Sequence, residues 1–354
     1  MGKKFEWYVS SGYSVYAYLA GLRLDEIYKD YSSCANAFKV GREKIKEIFG
    51  EEVTTSPPSC APISYGHVIC LGAPVTFPDD SEPGVRPIYK SIDEGIEALK
   101  EEVDFSNNYL FKHYLGMWEY LKKEFPDEKV YFSGFGWEGP ITTSVLLRGT
   151  DFYIDILEFP EKAKKFLSLV TESIIKFVYF TKKINSQPPV NSEGAGLCDD
   201  LSSLVSPSLW DEFVIPYWEK YYRGLTTGKR TIHVENLKPE HLSFLKKVNI
   251  AHYDPAISPA LNPKIIRENI DIPFGWQLPS FQLRDMKKED VQKWVCEMVA
   301  QGAGLLYYSM EEKISCQQDN PEKVKMFIQT CKEIEEREEM SKVQSKVDPL
   351  GALP

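Results

Sequence analysis

Short apolar runs alternate with longer amphipathic stretches along most of the chain, from residue 129 onward. Runs of the first kind are typical of buried strands, whereas apolar residues recurring every three or four positions predict helices. Strands are predicted at residues 129–136, 193–198, 230–235, 250–254, 272–277 and 304–310. Helices are predicted between them at residues 161–184, 208–222, 239–248, 263–269 and 288–301. Six strands joined by five helical connections favour a closed parallel barrel over a sheet built from hairpins.

The upstream part of the chain combines predicted helices with one predicted strand. The helices occupy residues 32–49 and 107–125, and the strand occupies residues 67–71. Ser91 followed by Glu94 forms a capping box, which predicts a further helix from Ile92. We assign these pieces to an N-terminal helical cap, about residues 1–60, and to the first barrel strands.

Length and composition fit one large domain. The chain has 354 residues, of which 43% are hydrophobic, so it can bury a large core. Barrels of this kind regularly exceed about 250 residues as one domain. We therefore expect a single catalytic barrel over residues 1–343. The remaining residues, 344–354, are small and polar after a charged stretch, which predicts a disordered tail.

Charge and cysteine usage narrow the classes of partner. Lys and Arg number 42 against 52 Asp and Glu, a net charge of −10, and no basic stripe stands out, which argues against a nucleic-acid partner. No apolar run approaches the roughly 18 residues of a membrane-spanning helix. The seven cysteines are odd in number and contain no C-x-x-C pair, which fits reduced thiols. We expect a cytoplasmic protein without a membrane partner, and the sequence sets no oligomeric state.

One predicted strand ends in a histidine and a carboxylate. Reactive groups of a parallel barrel sit where strands end, at the C-terminal face. His233 and Glu235 lie two residues apart in the strand 230–235, so their side chains point the same way. Such a pair suits either a metal ion or acid–base chemistry. A histidine that is only hydrogen-bonded to a neighbouring carboxylate is an equally open interpretation.

Polar side chains also follow other predicted strands. Asp199 and Asp200 come after one of them, so one carboxylate is expected at the barrel mouth and the other in hydrogen bonds to the loop. Asp254 ends another strand, and with His233 and Glu235 these aspartates are the candidate catalytic residues. The candidate substrate-binding residues, chosen for a flat and partly apolar pocket, are Trp137, Tyr253, Trp276, Gln277 and Tyr307.

A series of short motifs runs through the same region. They are Gly139-Pro140-Ile141-Thr142, Leu147-Arg148-Gly149, Asp199-Asp200 with Ser206-Pro207 and Pro216, His233-Val234-Glu235-Asn236, Asp254, Gly275 and Asp319-Asn320-Pro321. In order and spacing they resemble the uroporphyrinogen decarboxylase superfamily, and within it the cobalamin-dependent methyltransferases. The resemblance spans about residues 12–326 and implies an α/β fold, a (β/α)8 TIM barrel with an N-terminal helical extension.

The resemblance also implies a metal site. The methyltransferase branch often carries a zinc motif His-x-Cys, with a second cysteine after the last strand. His233 matches the histidine, Glu235 stands where the first cysteine would be, and Glu311 falls near the second. Zinc also accepts carboxylate oxygens, so the implied ligands are these three residues, with Cys316 as an alternative third ligand.

What the resemblance implies for activity is methyl transfer to or from the cobalt of a corrinoid carried by a separate small protein. An O-methyl donor must lose an alkoxide or phenolate, and a metal with oxygen ligands suits that role. We therefore expect an O-demethylating methyltransferase that acts on an O-methyl donor such as an aromatic ether. Asp199, Asp200 or Asp254 would hydrogen-bond the substrate or orient His233.

Three other functions remain open at the level of sequence. A transferase from methylcobalamin to a thiol or tetrahydrofolate would need a soft ligand such as Cys316 beside His233. A decarboxylase-like lyase acting on a small acid would use Asp and His without metal. The decarboxylase branch carries an N-terminal arginine motif, however, and residues 8–30 contain only Arg23. A non-catalytic barrel would only bind a corrinoid protein or a tetrapyrrole.

Overall fold

The computed structural model describes residues 4–310 and 313–347 of the chain. Its strands are β1 (Glu6–Ser11), β2 (Val53–Thr55), β3 (Val75–Thr76), β4 (Gly84–Val85), β5 (Gly194–Cys198), β6 (Lys229–His233), β7 (Ile250–Asp254), β8 (Trp276–Gln277) and β9 (Leu305–Met310). The helices before β5 are α1 (Tyr13–Leu19), α2 (Leu24–Lys29), α3 (Tyr31–Phe49), α4 (Gly66–Cys70), α5 (Ile92–Ala98), α6 (Tyr109–Glu124), α7 (Pro140–Arg148), α8 (Asp151–Glu158) and α9 (Pro160–Ile184). Those after it are α10 (Trp210–Phe213), α11 (Ile215–Leu225), α12 (Pro239–Leu242), α13 (Phe244–Lys247), α14 (Pro263–Asn269), α15 (Ser280–Asp285), α16 (Lys288–Ala300) and α17 (Asn320–Val347).

The parallel strands form two sheets, which isolated bridges and a backbone hydrogen bond extend towards each other. One sheet has the order β2-β1-β9-β8 and a second has the order β5-β6-β7. Isolated parallel bridges join Tyr253 of β7 to Phe274, just before β8, and Ile63 to Phe135. The backbone N–H of Gly139 then donates to the last carbonyl of β5 at 2.6 Å. The fold is therefore the (β/α)8 TIM barrel, with several of its strands very short.

Burial alternates at the ends of β5 and β6. Leu197 of β5 and Ile232 of β6 face the surrounding helices and are buried. Thr231 and Gly196, which face the other way, are exposed. Because successive strand residues point to opposite faces, the apolar core lies between strands and helices. The lumen side is left open for polar side chains.

Three local predictions are corrected by the structure. Residues 67–71 are not a strand, because Gly66–Cys70 form helix α4, and a short apolar run buried on all sides carries no usable period. Residues 129–136 form only the single bridge at Phe135, since Gly134 turns the chain with a φ of 83°. The N-terminal segment expected as a helical cap contains barrel strands β1 and β2 as well as helices.

The remaining elements lie close to their predicted ranges, except that only Trp276–Gln277 of the predicted strand 272–277 form a strand. Residues 208–222 divide into α10 and α11, and residues 239–248 divide into α12 and α13. Helix α17 continues to Val347, four residues into the expected tail, and residues 348–354 lie outside the described part of the chain. Among the described helices, none is both long enough and apolar enough to cross a membrane.

Buried His67 makes the stability of this fold depend on acidity. His67 belongs to α4, and its ring packs against aromatic rings with Nε2 2.8 Å from the Ser173 hydroxyl. Burial lowers the pKa of His67 from 6.5 to about 3. Below pH about 6.5, His67 is therefore protonated in the unfolded chain but remains neutral in the folded chain. Stability from this group is lost as the pH falls from that value towards 3.

We expect the His67→Gln variant to lose less stability than the wild type between pH 7 and 5. The difference in slope should be about 1.4 kcal/mol per pH unit in the lower half of that window, because one proton is taken up on unfolding. Urea unfolding at pH 7, 6 and 5 measures it for both proteins. Carboxylates shared by the two proteins cancel in the comparison. Equal slopes would contradict a buried neutral His67.

Candidate active site

Three neighbouring strands end in side chains that can carry chemistry. Cys198 is the last residue of β5, His233 of β6 and Asp254 of β7. The strand register pairs Cys198 with His233 and His233 with Asp254. Since residues in register on parallel strands share a face, the three side chains meet at the C-terminal mouth of the barrel.

The His233 ring is held in place by Asp254. Its Nδ1 lies 2.9 Å from Asp254 Oδ2, while Nε2 faces Asp200 Oδ1 at 3.7 Å. The Tyr307 hydroxyl donates to the other oxygen of Asp254, which fixes that carboxylate in turn. Burial lowers the pKa of His233, but the hydrogen bond and charge of Asp254, with the charges of Asp200 and Glu235, outweigh it and raise the pKa to about 9. In the protein without metal, this histidine is a cation at neutral pH.

Of the two adjacent aspartates, Asp199 is held in hydrogen bonds with its surroundings and Asp200 lies at the barrel mouth. Asp199 is fully buried and accepts hydrogen bonds from the Thr142 N–H at 2.7 Å and the Trp218 indole at 2.6 Å. Burial raises the pKa of Asp199 to about 6, against the lowering effect of these donors. Asp200 instead faces His233 and accepts the backbone N–H of Glu235 at 2.9 Å. Asp199 thus anchors the start of α7, and Asp200 belongs to the mouth.

The other predicted metal ligands are Glu235, Glu311 and the alternative Cys316, and none of them belongs to the group of side chains at the ends of β5, β6 and β7 that the structure describes. Glu235 is half-buried and lines the cavity beside His233, and burial together with the charge of Asp200 raises its pKa. Cys316 packs against the apolar core, and burial raises the pKa of its thiol to about 11. Glu311 falls outside the described residues.

A compact group of possible metal ligands forms around His233. One ligand atom each from Cys198, Asp200 and His233 lies within 4.8 Å of the other two. This set offers sulfur, oxygen and nitrogen, all of which zinc accepts. The Asp254 contact on Nδ1 leaves Nε2 as the ligating nitrogen, a common arrangement for metal-bound histidines. The donor set therefore fits zinc. Cys198 was not among the predicted ligands, although it ends a predicted strand.

Glu138 is a further acidic residue at this edge that the sequence did not single out. It precedes Gly139, which is hydrogen-bonded to the end of β5. Burial raises the pKa of Glu138 to about 8, and the charges of Asp200 and Asp199 act in the same direction. Its Oε2 atom is shielded from solvent and has no hydrogen-bond partner within the described structure.

A cavity of about 300 Å³ opens beside His233. Its lining comprises Tyr8, His233, Glu235, Asp254, Ala256, Ile257, Gln277, Pro279, Ser280, Phe281, Tyr307 and Ser309. The rings of Tyr8 and Tyr307 are stacked with centroids 5.0 Å apart and planes 11° apart. Tyr8 is 41% exposed and Phe281 is 48% exposed, so part of each residue is accessible to solvent. The cavity therefore joins a polar floor to aromatic walls.

The predicted substrate-binding residues are only partly at this cavity. Gln277 and Tyr307 line it, whereas Tyr253 is fully buried, with its hydroxyl donating to the Val234 carbonyl. Trp137 donates from its indole nitrogen to Tyr221, and neither it nor Trp276 is a lining residue. Tyr8 and Phe281 were missed. The alternating pattern of β1 was a signal for Tyr8.

A second, larger cavity of about 600 Å³ lies between α1, α2 and the segment around Asp80. It contains no member of the histidine cluster. Its Arg23 forms an ion pair with Asp25 at 3.0 Å, and its Lys313 is paired with Asp80. His233, Glu235 and Asp254 line the smaller cavity and not this one.

A parallel (β/α)8 barrel with a histidine, carboxylates and a thiol at its strand ends defines an enzyme of the TIM-barrel class. The model of the uroporphyrinogen decarboxylase (URO-D) family matches residues 67–334, which is well over half of the chain. The chain belongs to this family. The family expected from the sequence is thereby confirmed.

Solved structures agree with this fold. A methyltransferase from Methanosarcina mazei is similar over 94% of this chain and 94% of its own, with a TM-score of 0.67 and 16% sequence identity. At this identity the likeness establishes the fold. No curated protein gives a significant match to the chain.

Proposed function

We propose that this protein is a methyltransferase that moves a methyl group from an O-methyl donor to the cobalt of a corrinoid carried by a partner protein. The main support is His233, which is clamped by Asp254, lies beside Asp200 and Cys198, and opens on a cavity with aromatic walls. The structural similarity to a methyltransferase from Methanosarcina mazei is in keeping with this choice.

The same residues suit a resident zinc ion. His233, Cys198 and Asp200 would hold it, in place of the set of His233, Glu235 and Glu311. Bound there, zinc supplies Lewis acidity towards the oxygen that loses the methyl group. Asp254 orients the His233 ring so that Nε2 is the ligating atom.

The cavity walls would position the donor. One face of the Tyr8 ring is covered by Tyr307, so a donor ring can stack on exposed aromatic surface at Tyr8 or Phe281. Gln277 offers an amide that can hydrogen-bond a ring substituent. An aromatic ether is therefore the donor class that we propose.

The proposed methyl transfer is a nucleophilic displacement at the methyl carbon. Cobalt(I) of the corrinoid supplies the electron pair of the new cobalt–carbon bond, and the carbon–oxygen bond breaks with its pair on oxygen. Glu235 lines the cavity beside His233, where its carboxyl group can give a proton to the departing oxygen. The products are a methylated corrinoid and a phenol.

A second function is favoured by one specific observation. Cys198 gives the cluster a sulfur atom, the soft ligand that methyl transfer from methylcobalamin to a thiol would need. A decarboxylase acting on a polycarboxylate is less well supported, because the described lining of the cavity contains no Lys or Arg to hold carboxylates. Arg23, the single arginine of residues 8–30, lines the larger cavity and forms an ion pair with Asp25.

The experiment compares directions and donors in one assay. Zinc-loaded protein is mixed with cobalt(I) cobalamin and either 2-methoxyphenol or cyclohexyl methyl ether, and methylcobalamin formation is followed in the visible spectrum. We expect methylcobalamin with the aromatic ether and at least about tenfold less with the aliphatic one, since ring stacking contributes about 1 kcal/mol or more. Failure with both ethers, together with consumption of methylcobalamin by a thiol, would establish the second function instead.

A further inference from the structure

The segment before α7 packs against the end of β5 with no space between them. The Gly139 N–H donates to the Cys198 carbonyl at 2.6 Å. A Cβ at Gly139 would lie 2.4 Å from the Cβ of Asp199 and 2.8 Å from the Cys198 carbonyl oxygen, so only glycine fits. This close approach brings the adjacent Glu138 to the thiol of Cys198, with which its carboxyl group interacts.

The Glu138 carboxyl group is poorly satisfied where it lies. Its Oε2 is out of contact with solvent and has no hydrogen-bond partner in the part of the chain that is described. The Cys198 thiol and the Ser64 hydroxyl interact with the group, but neither is a cation. Within residues 4–310 and 313–347, no Lys or Arg forms an ion pair with Glu138. Burying a carboxylate without a cation is strongly unfavourable.

A metal ion in the neighbouring cluster would satisfy this carboxylate. Cys198, Asp200 and His233 offer three ligand atoms, and zinc prefers four. Glu138 is in contact with one of these ligands and near the charge of a second, Asp200. Zinc accepts Glu oxygens as readily as Asp oxygens.

We propose that Glu138 is the fourth protein ligand of a zinc ion held by Cys198, Asp200 and His233. This inference rests on the zinc ion of the proposed function and deepens it. A catalytic zinc ion keeps one exchangeable position. Glu138, which approaches the cluster from a different segment, is then the ligand that a substrate oxygen would replace.

Cobalt(II) used in place of zinc tests the proposal without any turnover. Metal-free wild type, Glu138→Gln and Glu172→Gln are titrated with cobalt(II), and the visible ligand-field and sulfur-to-cobalt bands are recorded. Zinc affinity is then measured by competition with a chromophoric chelator. Glu172→Gln is the control, because Glu172 is a carboxylate on α9 paired with Lys220 and belongs neither to the ligand cluster nor to the cavity beside His233.

We expect Glu138→Gln to weaken binding of both metals by about 10- to 100-fold or more. Its ligand-field bands should shift while the sulfur-to-cobalt band persists, because Cys198 remains bound. Glu172→Gln should match the wild type in both measurements. If Glu138→Gln fails to fold, Glu138→Asp, which keeps the charge but draws the oxygens back, should show the same shift and weaker binding.

Two results would overturn the proposal. Wild-type affinity and spectrum in the folded Glu138 variants would remove Glu138 from the ligand set while leaving the zinc ion and the methyl transfer untouched. No uptake of cobalt(II) or zinc by the wild type would remove the zinc ion altogether. Methyl transfer is measured separately, so a failed donor assay with intact metal binding would count against the proposed function alone.

Discussion

In the proposed zinc-dependent reaction, replacing His233 with alanine should lower the rate of methyl transfer by about 10³-fold, because Lewis-acid stabilisation of several kcal/mol would be lost with this ligand of the proposed zinc ion. His233 is the central member of the cluster, since Asp200, Cys198 and Asp254 all surround its ring. Its removal should therefore also abolish stoichiometric zinc binding. The rate is measured from cobalt(I) cobalamin and 2-methoxyphenol, and the zinc content by elemental analysis.

A second histidine variant separates this effect from general damage to the fold. His113 lies on α6, where its Nε2 is 2.9 Å from the Tyr28 carbonyl and remote from the cluster in the chain. His113→Ala should keep its zinc and most of the wild-type rate. A His233→Ala protein that retains zinc and more than about a tenth of the rate would contradict the assigned role, because that loss is under about 1.4 kcal/mol.

The barrel strands that carry the site could be predicted because their outer faces are strongly apolar. The predicted strand 250–254 coincides with β7, and the predicted strand 193–198 differs from β5 by one residue. Outward residues such as Leu197 and Ile232 pack under helices and impose a clear pattern. Strand ends, and hence the polar residues just beyond them, follow from such patterns.

Strand β1 shows how a visible pattern was misassigned. Its outward residues Trp7 and Val9 alternate with Glu6, Tyr8 and Ser10, as expected for a strand with one buried face. The segment was assigned to a helical cap because helices dominate the residues that follow it. Tyr8 was missed for that reason, although its ring forms part of the cavity wall.

The partners within the site depend on register, which one sequence does not fix. His233 lies beside Asp254 and Cys198 only because the three strands pair as they do. Its sequence neighbour Glu235 was the obvious partner, yet it lies outside the compact cluster. Glu138 lies two residues beyond the predicted strand 129–136, so its position after a strand end was a signal that the sequence analysis did not use.

The Asp254→Asn variant tests whether the carboxylate, rather than the shape of the side chain, sets the state of His233. In the metal-free wild type, the pKa of His233 is raised from 6.5 to about 9. Asp254 provides the largest of the contributions that raise it, and only burial opposes them. With asparagine, the effect of burial weighs more, so the pKa of His233 should fall well below 9. Proton NMR titration of the imidazole in chelator-treated protein measures the change.

The same substitution should reduce zinc affinity and methyl transfer by about 10- to 100-fold, because an uncharged amide no longer favours a proton on Nδ1 and a free Nε2.

The raised pKa of His233 also sets the direction in which stability changes with pH. The contribution of His233 is complete below pH about 6.5 and is lost as the pH rises through about 9, so this loss should shrink in Asp254→Asn. Glu235→Gln should lower the pKa of His233 less, because Glu235 acts through its charge alone. An unchanged pKa in Asp254→Asn would mean that Asp200 and Glu235 suffice, and the Asp254 contact would then hold only the position of the ring.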